Sequence, residues 1–125
     1  MQRTRISDIA GTVFPAGRHT RVLVGEKAPL AAAGFSMGQV TVFPGGQVPS
    51  HDHPQEEVYY VTRGQGEIEI DGEREPIREG EAVYVPSGKS HNLRNPGRRD
   101  MTFIFVYSPA GIVEHWKQEM EGKLT

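Results

Sequence analysis

Residues 50–64 read SHDHPQEEVYYVTRG, and this stretch places two histidines and two glutamates directly before an apolar, aromatic segment. His51 and His53 are two residues apart, so in an extended chain their imidazoles point to the same side. Glu57 follows four residues after His53, beyond a short Pro-Gln-Glu segment that permits a turn. Two imidazoles and a carboxylate form a ligand set suited to a divalent transition metal. Taken alone, the stretch also fits a polar turn that precedes a strand.

A second stretch supplies a third imidazole. Residues 80–95 read GEAVYVPSGKSHNLRN, and His91 lies just after a turn that contains Pro86 and Gly88. This histidine joins the first pair only if its strand folds back beside them. A β-barrel brings distant strands together in this way, so the two stretches favour one shared metal site.

The rest of the chain reads mainly as short β-strands. Alternating Glu and Ile lead into Asp71-Gly72, which is a strong signal for a two-residue hairpin. Six or seven β-like segments at near-regular spacing predict an all-β sandwich or barrel, and 125 residues fit a single domain over residues 1–125. The segments are residues 21–25, 37–44, 57–64, 66–73, 81–86 and 101–109.

The C-terminal segment departs from this pattern and predicts a helix over about residues 109–121. Ser108 offers an N-cap, Pro109 a first-turn proline and Gly122 a stop. An apolar stripe at a spacing of four residues predicts that one helix face packs on the barrel, with its tryptophan in the core. The stripe consists of Ile112, Trp116 and Met120.

Composition excludes several functional classes. The chain has 14 basic and 16 acidic residues, a net charge of −2 and no long run of either sign, which argues against nucleic acid or an anionic membrane surface as a partner. Because there is no cysteine, a disulfide framework, a thiolate metal site and a cysteine nucleophile are all excluded. No apolar run approaches the roughly 20 residues of a membrane span, and the N-terminal residues lack the apolar core of a secretory signal. We therefore expect a cytoplasmic protein.

The two histidine-containing stretches together resemble the two motifs of the cupin family. The first motif, G(X)5HXH(X)3E(X)6G, is matched without a gap by Gly45, His51, His53, Glu57 and Gly64. The second, G(X)5PXG(X)2H(X)3N, is matched without a gap by Gly80, Pro86, Gly88, His91 and Asn95. The resemblance covers a motif core of residues 45–95. It implies a small single-domain cupin, which is a double-stranded β-helix or jelly-roll barrel, here with a short C-terminal helix.

The resemblance also implies a metal centre and a class of ligand. His51, His53, Glu57 and His91 would bind one divalent ion (Mn, Fe, Ni, Zn or Co) inside the barrel. Four protein ligands leave two positions of an octahedral ion open, which suits a small oxygenated metabolite such as a hydroxy acid, a keto acid or a sugar-derived compound. Lewis-acid chemistry of the isomerase or lyase type and dioxygenase chemistry both fit this ligand set. A non-catalytic binding or sensor cupin fits it equally, so the sequence leaves open whether the protein is an enzyme.

Residues around the predicted ligands carry weaker expectations. Tyr59 alternates in step with Glu57 and is a candidate to contact substrate, although a tyrosine of the core is the simpler interpretation. Glu56 has the opposite parity and is expected outside the barrel. The predicted strand at residues 101–109 has two faces, one with Phe103, Phe105 and Tyr107 and the other with Ile104 and Val106. The alternating pattern does not decide which face lines the pocket.

Two further expectations concern the remaining histidines and the oligomer. His19 and His115 are expected to be ordinary structural or solvated residues, because the first lies near a strand start and the second on the face of the predicted helix. No general base and no carboxylate-binding arginine can be assigned from the sequence. Small cupins pair as dimers, so the resemblance implies a homodimer, and the need to cover open barrel edges gives an independent reason.

Overall fold

The computed structural model describes residues 1–111 and 115–123, apart from the side chain of His115. This part of the chain contains eleven strands, a single turn of 3-10 helix at Ile6–Asp8 and one helix, α1, at His115–Met120. The strands are β1 (Thr12–Phe14), β2 (Arg18–Gly25), β3 (Leu30–Ala31), β4 (Ser36–Val42), β5 (Gln47–His51), β6 (Glu56–Arg63), β7 (Gln65–Ile70), β8 (Glu73–Arg78), β9 (Ala82–Val85), β10 (His91–Arg94) and β11 (Met101–Ser108).

The strands form two sheets that share one core. One sheet has the order β1-β2-β4-β11-β6-β9, with β3 beside β2, and the other has the order β5-β10-β7-β8. All neighbours are antiparallel except β2 and β3. The crossovers between the sheets confirm the predicted all-β jelly-roll architecture. The strands that the sequence did not indicate are short or polar, and they include β5 and β10, which carry two of the predicted metal ligands.

The shared core is built from the inward positions of both sheets. Buried and partly buried residues alternate along the whole of β4 and β11, as expected for strands with one face on a core. Val40, Tyr59 and Phe103 of the larger sheet pack in one cluster with Val48 and Leu93 of the smaller one. Burial of this apolar surface is the main source of the stability of the barrel.

Two turns behave as their sequences predict. Asp71 and Gly72 both have positive φ angles (49° and 86°) and connect β7 to β8, as the predicted two-residue hairpin requires. Gly64 has a φ of 77°, and a Cβ at this position would lie 2.7 Å from the carbonyl oxygen of Asp100. Any other residue would therefore be strained there, which explains the glycine at the end of the first motif.

The C-terminal helix begins later than the sequence predicts. Ser108 is the last residue of β11, where it pairs with Glu56, and its hydroxyl donates a hydrogen bond to the carbonyl oxygen of Gly34 at 2.7 Å. It is therefore no N-cap, and the predicted helix start at Pro109 is wrong, because residues 109–111 are not helical. The predicted stop is confirmed: Gly122 has a φ of 73° and its amide donates back into the last turn of α1.

The buried face of α1 also differs from the predicted stripe. Trp116 packs against the core, as expected, whereas Ile112 lies outside the described residues. The expectation for Met120 is wrong, because its side chain is 49% exposed. Glu119 is buried instead, since its carboxylate binds Arg18. No helix in the described residues is long and apolar enough to cross a membrane.

Candidate metal centre

Backbone hydrogen bonds hold the two histidine-containing stretches side by side. The amide of Gly88 donates to the carbonyl oxygen of His53 at 2.8 Å. At the other end of the motif core, the amide of Gly45 donates to the carbonyl oxygen of Asn95 at 2.8 Å. The amide of Asn95 in turn donates to the carbonyl oxygen of Gly46 at 3.0 Å. The turn residues of both motifs thus fix the register in which the ligand candidates meet.

The four predicted ligands come together inside the barrel. His51 ends β5 and is the Cα partner of His91, which begins β10. Glu57 belongs to β6 in the other sheet, and His53 lies in the connection between β5 and β6. All four side chains are buried, and their ligand atoms lie within 4.8 Å of one another. Together they form a group of three imidazoles and one carboxylate that is able to hold a metal ion.

Each of the three imidazoles is oriented by the main chain. The Nδ1 atoms of His51, His53 and His91 lie 2.6, 2.9 and 2.8 Å from the carbonyl oxygens of Pro49, Gln55 and Lys89, respectively. A carbonyl oxygen only accepts, so in each case Nδ1 carries the hydrogen. The neutral form of each ring then has its lone pair on Nε2, which is the form that ligates a metal.

Burial and mutual contact shift the protonation of the group. Burial, followed by repulsion from His91, lowers the pKa of His51 to about 3. Burial also opposes the charged form of His53, but the hydrogen bond and the charge of Glu57 outweigh it and raise the pKa of His53. Burial raises the pKa of Glu57, yet the hydrogen bond from His53 and the nearby imidazole of His91 outweigh it, so that this pKa is lowered overall. Near neutral pH His51 is neutral and Glu57 is ionised, as a metal ion requires of its ligands.

One buried atom tests whether a metal ion fits. His91 Nε2 is buried and has no hydrogen bond; Glu57 Oε1 lies 3.3 Å away. Buried polar atoms normally have a partner, so this nitrogen calls for a group that accepts its lone pair. A divalent cation accepts this lone pair and at the same time balances the negative charge of Glu57. Imidazole nitrogens with one carboxylate oxygen suit Zn, Mn, Fe, Co or Ni, so the donor set fits the ion that the motifs imply.

The cavity beside the centre has an aromatic wall. Of the two faces of β11, the one with Phe103, Phe105 and Tyr107 lines it, while Ile104 and Val106 lie on the other side. The register decides this, because Tyr107 is the Cα partner of Glu57. The cavity measures only about 20 Å³, which is room for a single water molecule.

Tyr59 and Glu56 take the positions that their parity predicts. Tyr59 is buried, and its ring centroid lies 6.1 Å from that of His91 and 4.8 Å from that of Phe103. Burial and then the charge of Glu57 raise the pKa of Tyr59 well above its usual value, so this phenol is a proton donor near neutral pH. Glu56 is exposed and accepts a hydrogen bond from the Tyr84 hydroxyl at 3.1 Å. His19 lies away from the centre, with its Nε2 2.7 Å from the carbonyl oxygen of Ala10.

Sequence reasoning missed one charged residue of this cavity. Arg18 lines it together with His51, His53 and Glu57, although its side chain is only 2% exposed. Its position before an apolar β-segment gives no signal of this role, because arginines commonly flank strands on the outside. Only the alternation of Arg18 with Thr20 and Val22 along β2 indicates an inward direction.

The family profile described as "Cupin domain" matches residues 38–107, which is more than half of the chain. The chain is a cupin. This confirms the family that the two motifs indicate, with its double-stranded β-helix fold. The matched region contains all four residues of the candidate metal centre, whereas Arg18 and α1 lie outside it.

This cupin is similar to several proteins that carry different names. Protein SchB of Streptomyces halstedii is 34% identical over 94 residues, which cover 74% of this chain and 67% of SchB. The oxalate-binding protein of Thermotoga maritima is 38% identical over 64 residues, covering 50% of this chain and 53% of that protein. The chain thus spans between about half and two thirds of these two curated relatives. The structure of the polyketide cyclase RemF from Streptomyces resistomycificus superposes with a TM-score of 0.75 at 21% identity, covering 99% and 98% of the two chains; at that identity the likeness shows the fold alone.

Proposed function

We propose that this cupin binds one divalent metal ion and acts on a small oxygenated metabolite, such as a hydroxy acid, a keto acid or a sugar-derived compound. The ligands are His51, His53, Glu57 and His91. The observation that carries the proposal is the convergence of three imidazoles and one carboxylate, whose ligand atoms lie within 4.8 Å of one another. Backbone carbonyls orient the three imidazoles through Nδ1, so the neutral form of each ring has its lone pair on Nε2. When bound, the ion supplies Lewis-acid polarisation of a substrate oxygen or, if it is iron, the capacity for oxygen chemistry.

The residues around the ligands support catalysis in two ways. The aromatic wall of Phe103, Phe105 and Tyr107 excludes water, which strengthens every electrostatic interaction in the cavity. Tyr59, held protonated by its raised pKa, donates a hydrogen bond toward negative charge that develops on a substrate oxygen. This combination fits an isomerase, a lyase or a dioxygenase.

A second candidate function is binding without catalysis, as a sensor or carrier. The description of the similar Thermotoga maritima protein as oxalate-binding favours it, because that protein is named for what it binds rather than for a reaction. The same metal centre serves either function. The two differ in whether the metabolite is recovered unchanged.

The experiment measures metal and turnover together. Protein purified without an affinity tag is analysed for metals and incubated with a panel of hydroxy acids, keto acids and sugar derivatives, and products are followed by mass spectrometry. We expect about one ion per chain, with metal and turnover both lost in His53→Ala and both retained in the control variant His19→Ala. Loss of metal with unchanged turnover would refute the proposal. Tight binding of a compound that is recovered unchanged would establish the binding function instead.

The proposal includes a homodimer formed through the outer face of the larger sheet. Val58, Tyr60 and Tyr84 are exposed on neighbouring strands β6 and β9, where Val58 is the Cα partner of Tyr84. Contiguous exposed apolar side chains of this kind are typical of protein–protein contact sites. A second copy of the chain would cover them.

A further inference from the structure

Arg18 and Glu119 form a buried pair with the geometry of a bound carboxylate. Arg18 Nε donates to Glu119 Oε1 at 3.0 Å and Nη2 donates to Oε2 at 2.5 Å, while Nη1 donates to the hydroxyl oxygen of Thr20. The two side chains are only 2% and 1% exposed. A guanidinium that grips both oxygens of one carboxylate is the arrangement by which arginine recognises acidic ligands.

This pair borders the candidate metal centre. Arg18 lines the same cavity as His51, His53 and Glu57, and the ring of Phe14 lies under its guanidinium, 3.9 Å from ring centroid to Cζ. A carboxylate bound to Arg18 therefore lies beside the wall of the cavity that the metal ligands line. The cavity thus has two groups that are able to bind an acidic ligand, the guanidinium of Arg18 and the metal centre.

The cavity as it stands is too small for a metabolite. Its volume of about 20 Å³ compares with the several hundred Å³ that small-molecule sites usually offer. A cavity of about 610 Å³ lies beside it, and the two share Tyr107 and Trp116 as lining residues. Because Trp116 belongs to α1, this helix contributes to the wall between the two cavities.

Trp116 and Glu119 anchor α1 to the barrel. Trp116 packs edge-on against Phe14 and Phe105, with ring centroids 6.1 and 6.3 Å apart, and Glu119 binds Arg18. Lys117, Gln118 and Met120 are exposed. A helix of six residues has little stability of its own, so its position depends on these contacts. A competitor for Arg18 removes the contact that Glu119 makes.

We propose that Arg18 is the carboxylate-binding residue of the metabolite site, and that Glu119 occupies it as an internal carboxylate which the carboxylate of the metabolite displaces. A buried guanidinium without an anion is strongly unfavourable, so Glu119 leaves only in exchange for another carboxylate. This inference rests on the proposed function and narrows it: the metabolite is a carboxylic acid, and an uncharged sugar derivative does not open the site. The helix α1 moves outward as the acid enters.

The test uses small dicarboxylates and the tryptophan of α1. Oxalate, malonate and malate, with oxamide and malonamide as uncharged counterparts, are titrated into protein whose metal content has been measured. Binding is followed by calorimetry and by fluorescence of Trp116, which is the only tryptophan of the chain. We expect at least one acid, and neither amide, to bind and to change the fluorescence. Glu119→Gln should bind that acid about tenfold more tightly, because the internal competitor is weakened, and Arg18→Met about thirtyfold or more weakly.

Two controls keep folding and metal binding apart from this inference. The double variant Arg18→Met with Glu119→Leu removes both charges and leaves no unpaired buried ion, so it stays folded even if a single variant does not. Without metal, this double variant should not bind the acid. Glu121→Gln, on the exposed turn after α1, should match the unaltered protein. Titration of metal-free protein measures binding of the acid to Arg18 without a contribution from a metal ion. A failure of the protein to bind metal therefore refutes only the proposed function. Equal acid affinity with and without Arg18, or no acid binding even by Glu119→Gln, would overturn the inference.

Discussion

His51 and His91 face each other across β5 and β10 with their ring centroids 4.1 Å apart, and each donates its Nδ1 hydrogen to the carbonyl two residues before it. Burial, followed by electrostatic repulsion from His91, lowers the pKa of His51 to about 3, from 6.5 in an exposed histidine. His51 is therefore neutral near pH 7, which is the form that ligates a metal.

The low pKa of His51 predicts that the metal-free protein loses stability in mild acid. Between pH 6.5 and 3 the unfolded chain binds a proton at this residue and the folded chain does not, so stability falls as the pH falls through that window. From pH 7 to pH 5 the loss from this group is about 2 kcal/mol. Urea unfolding in the presence of a chelator measures it.

The control for this prediction is His51→Gln, which removes the titrating group. His53 has the opposite sign: its raised pKa contributes stability that is fully present below pH 6.5 and is lost as the pH rises through the folded-state value. Glu57, with its lowered pKa, contributes stability above about pH 4.5 that is lost only in stronger acid. The difference between the unaltered protein and His51→Gln isolates His51. Equal pH dependence of the two would contradict the prediction.

Of the two neighbouring glutamates, only Glu57 is expected to affect metal affinity when it is replaced. Glu57 is the only carboxylate among the four predicted ligands and is ionised near neutral pH, whereas Glu56 points outward to Tyr84. Even residues that only support a ligand cost 10–100-fold in affinity when replaced, so we expect Glu57→Gln to weaken metal binding by about a hundredfold or more. Glu56→Gln should leave it unchanged. Competition with a chromogenic chelator gives both values, and similar losses in the two variants would refute the assignment of Glu57.

The sequence predicted the local parts of this site and missed those that depend on distant contacts. His51, His53 and Glu57 belong to one short stretch, and the backbone bonds that tie it to the stretch of His91 come from the turn residues of the same motifs. Arg18 and Glu119 are 101 residues apart, and no local pattern couples them. Helical periodicity favoured Met120 as the buried residue because it ranks side chains by hydrophobicity and takes no account of a partner elsewhere in the chain. The sequence also did not decide which face of β11 points into the barrel. Alternation along the strand defines two faces, and only the register with β6 selects the inward one.

Asn95 is predicted to matter for stability rather than for metal binding. Its buried side chain donates to the carbonyl oxygens of Val42 and Arg99 at 2.9 and 2.7 Å and accepts from the amide of Gly97 at 3.1 Å. At about 1 kcal/mol for each bond, Asn95→Ala should lower the free energy of unfolding by about 3 kcal/mol and leave the metal stoichiometry unchanged.

Asn92→Ala is the matched control for that variant. Asn92 is also buried, but its side-chain amide donates one hydrogen bond, to Glu69 at 2.8 Å, so we expect a smaller loss than in Asn95→Ala. Chemical denaturation of both variants with metal present and absent gives the comparison. A drop in metal content in Asn95→Ala at temperatures where it is folded would show that the residue also positions the ligands.

Tyr59→Phe separates binding from catalysis. The variant keeps the ring that packs on Phe103 and removes only the hydroxyl, whose pKa is raised well above the usual value by burial and by Glu57. If the phenol donates to the substrate in the transition state, turnover should fall by about a hundredfold while metal content and the affinity for substrate stay the same. Steady-state kinetics with the metabolite identified by the panel decide this. Unchanged turnover would leave Tyr59 as a residue of the core.

The exposed apolar face of β6 and β9 predicts how the chain associates. Tyr60→Lys places a charge on this face, so the variant should sediment as a monomer at micromolar concentration while the unaltered protein sediments as a dimer. Val13→Lys is the control, because Val13 is also exposed (58%, against 45% for Tyr60) but lies on β1, at the opposite edge of the same sheet from β9. Burial of a tyrosine and its neighbours at a contact between two copies is worth far more than the exposed valine of an edge strand, so only the first substitution should change the sedimentation coefficient. A monomeric unaltered protein would refute the homodimer, and dissociation by Val13→Lys alone would move the contact to the β1 edge.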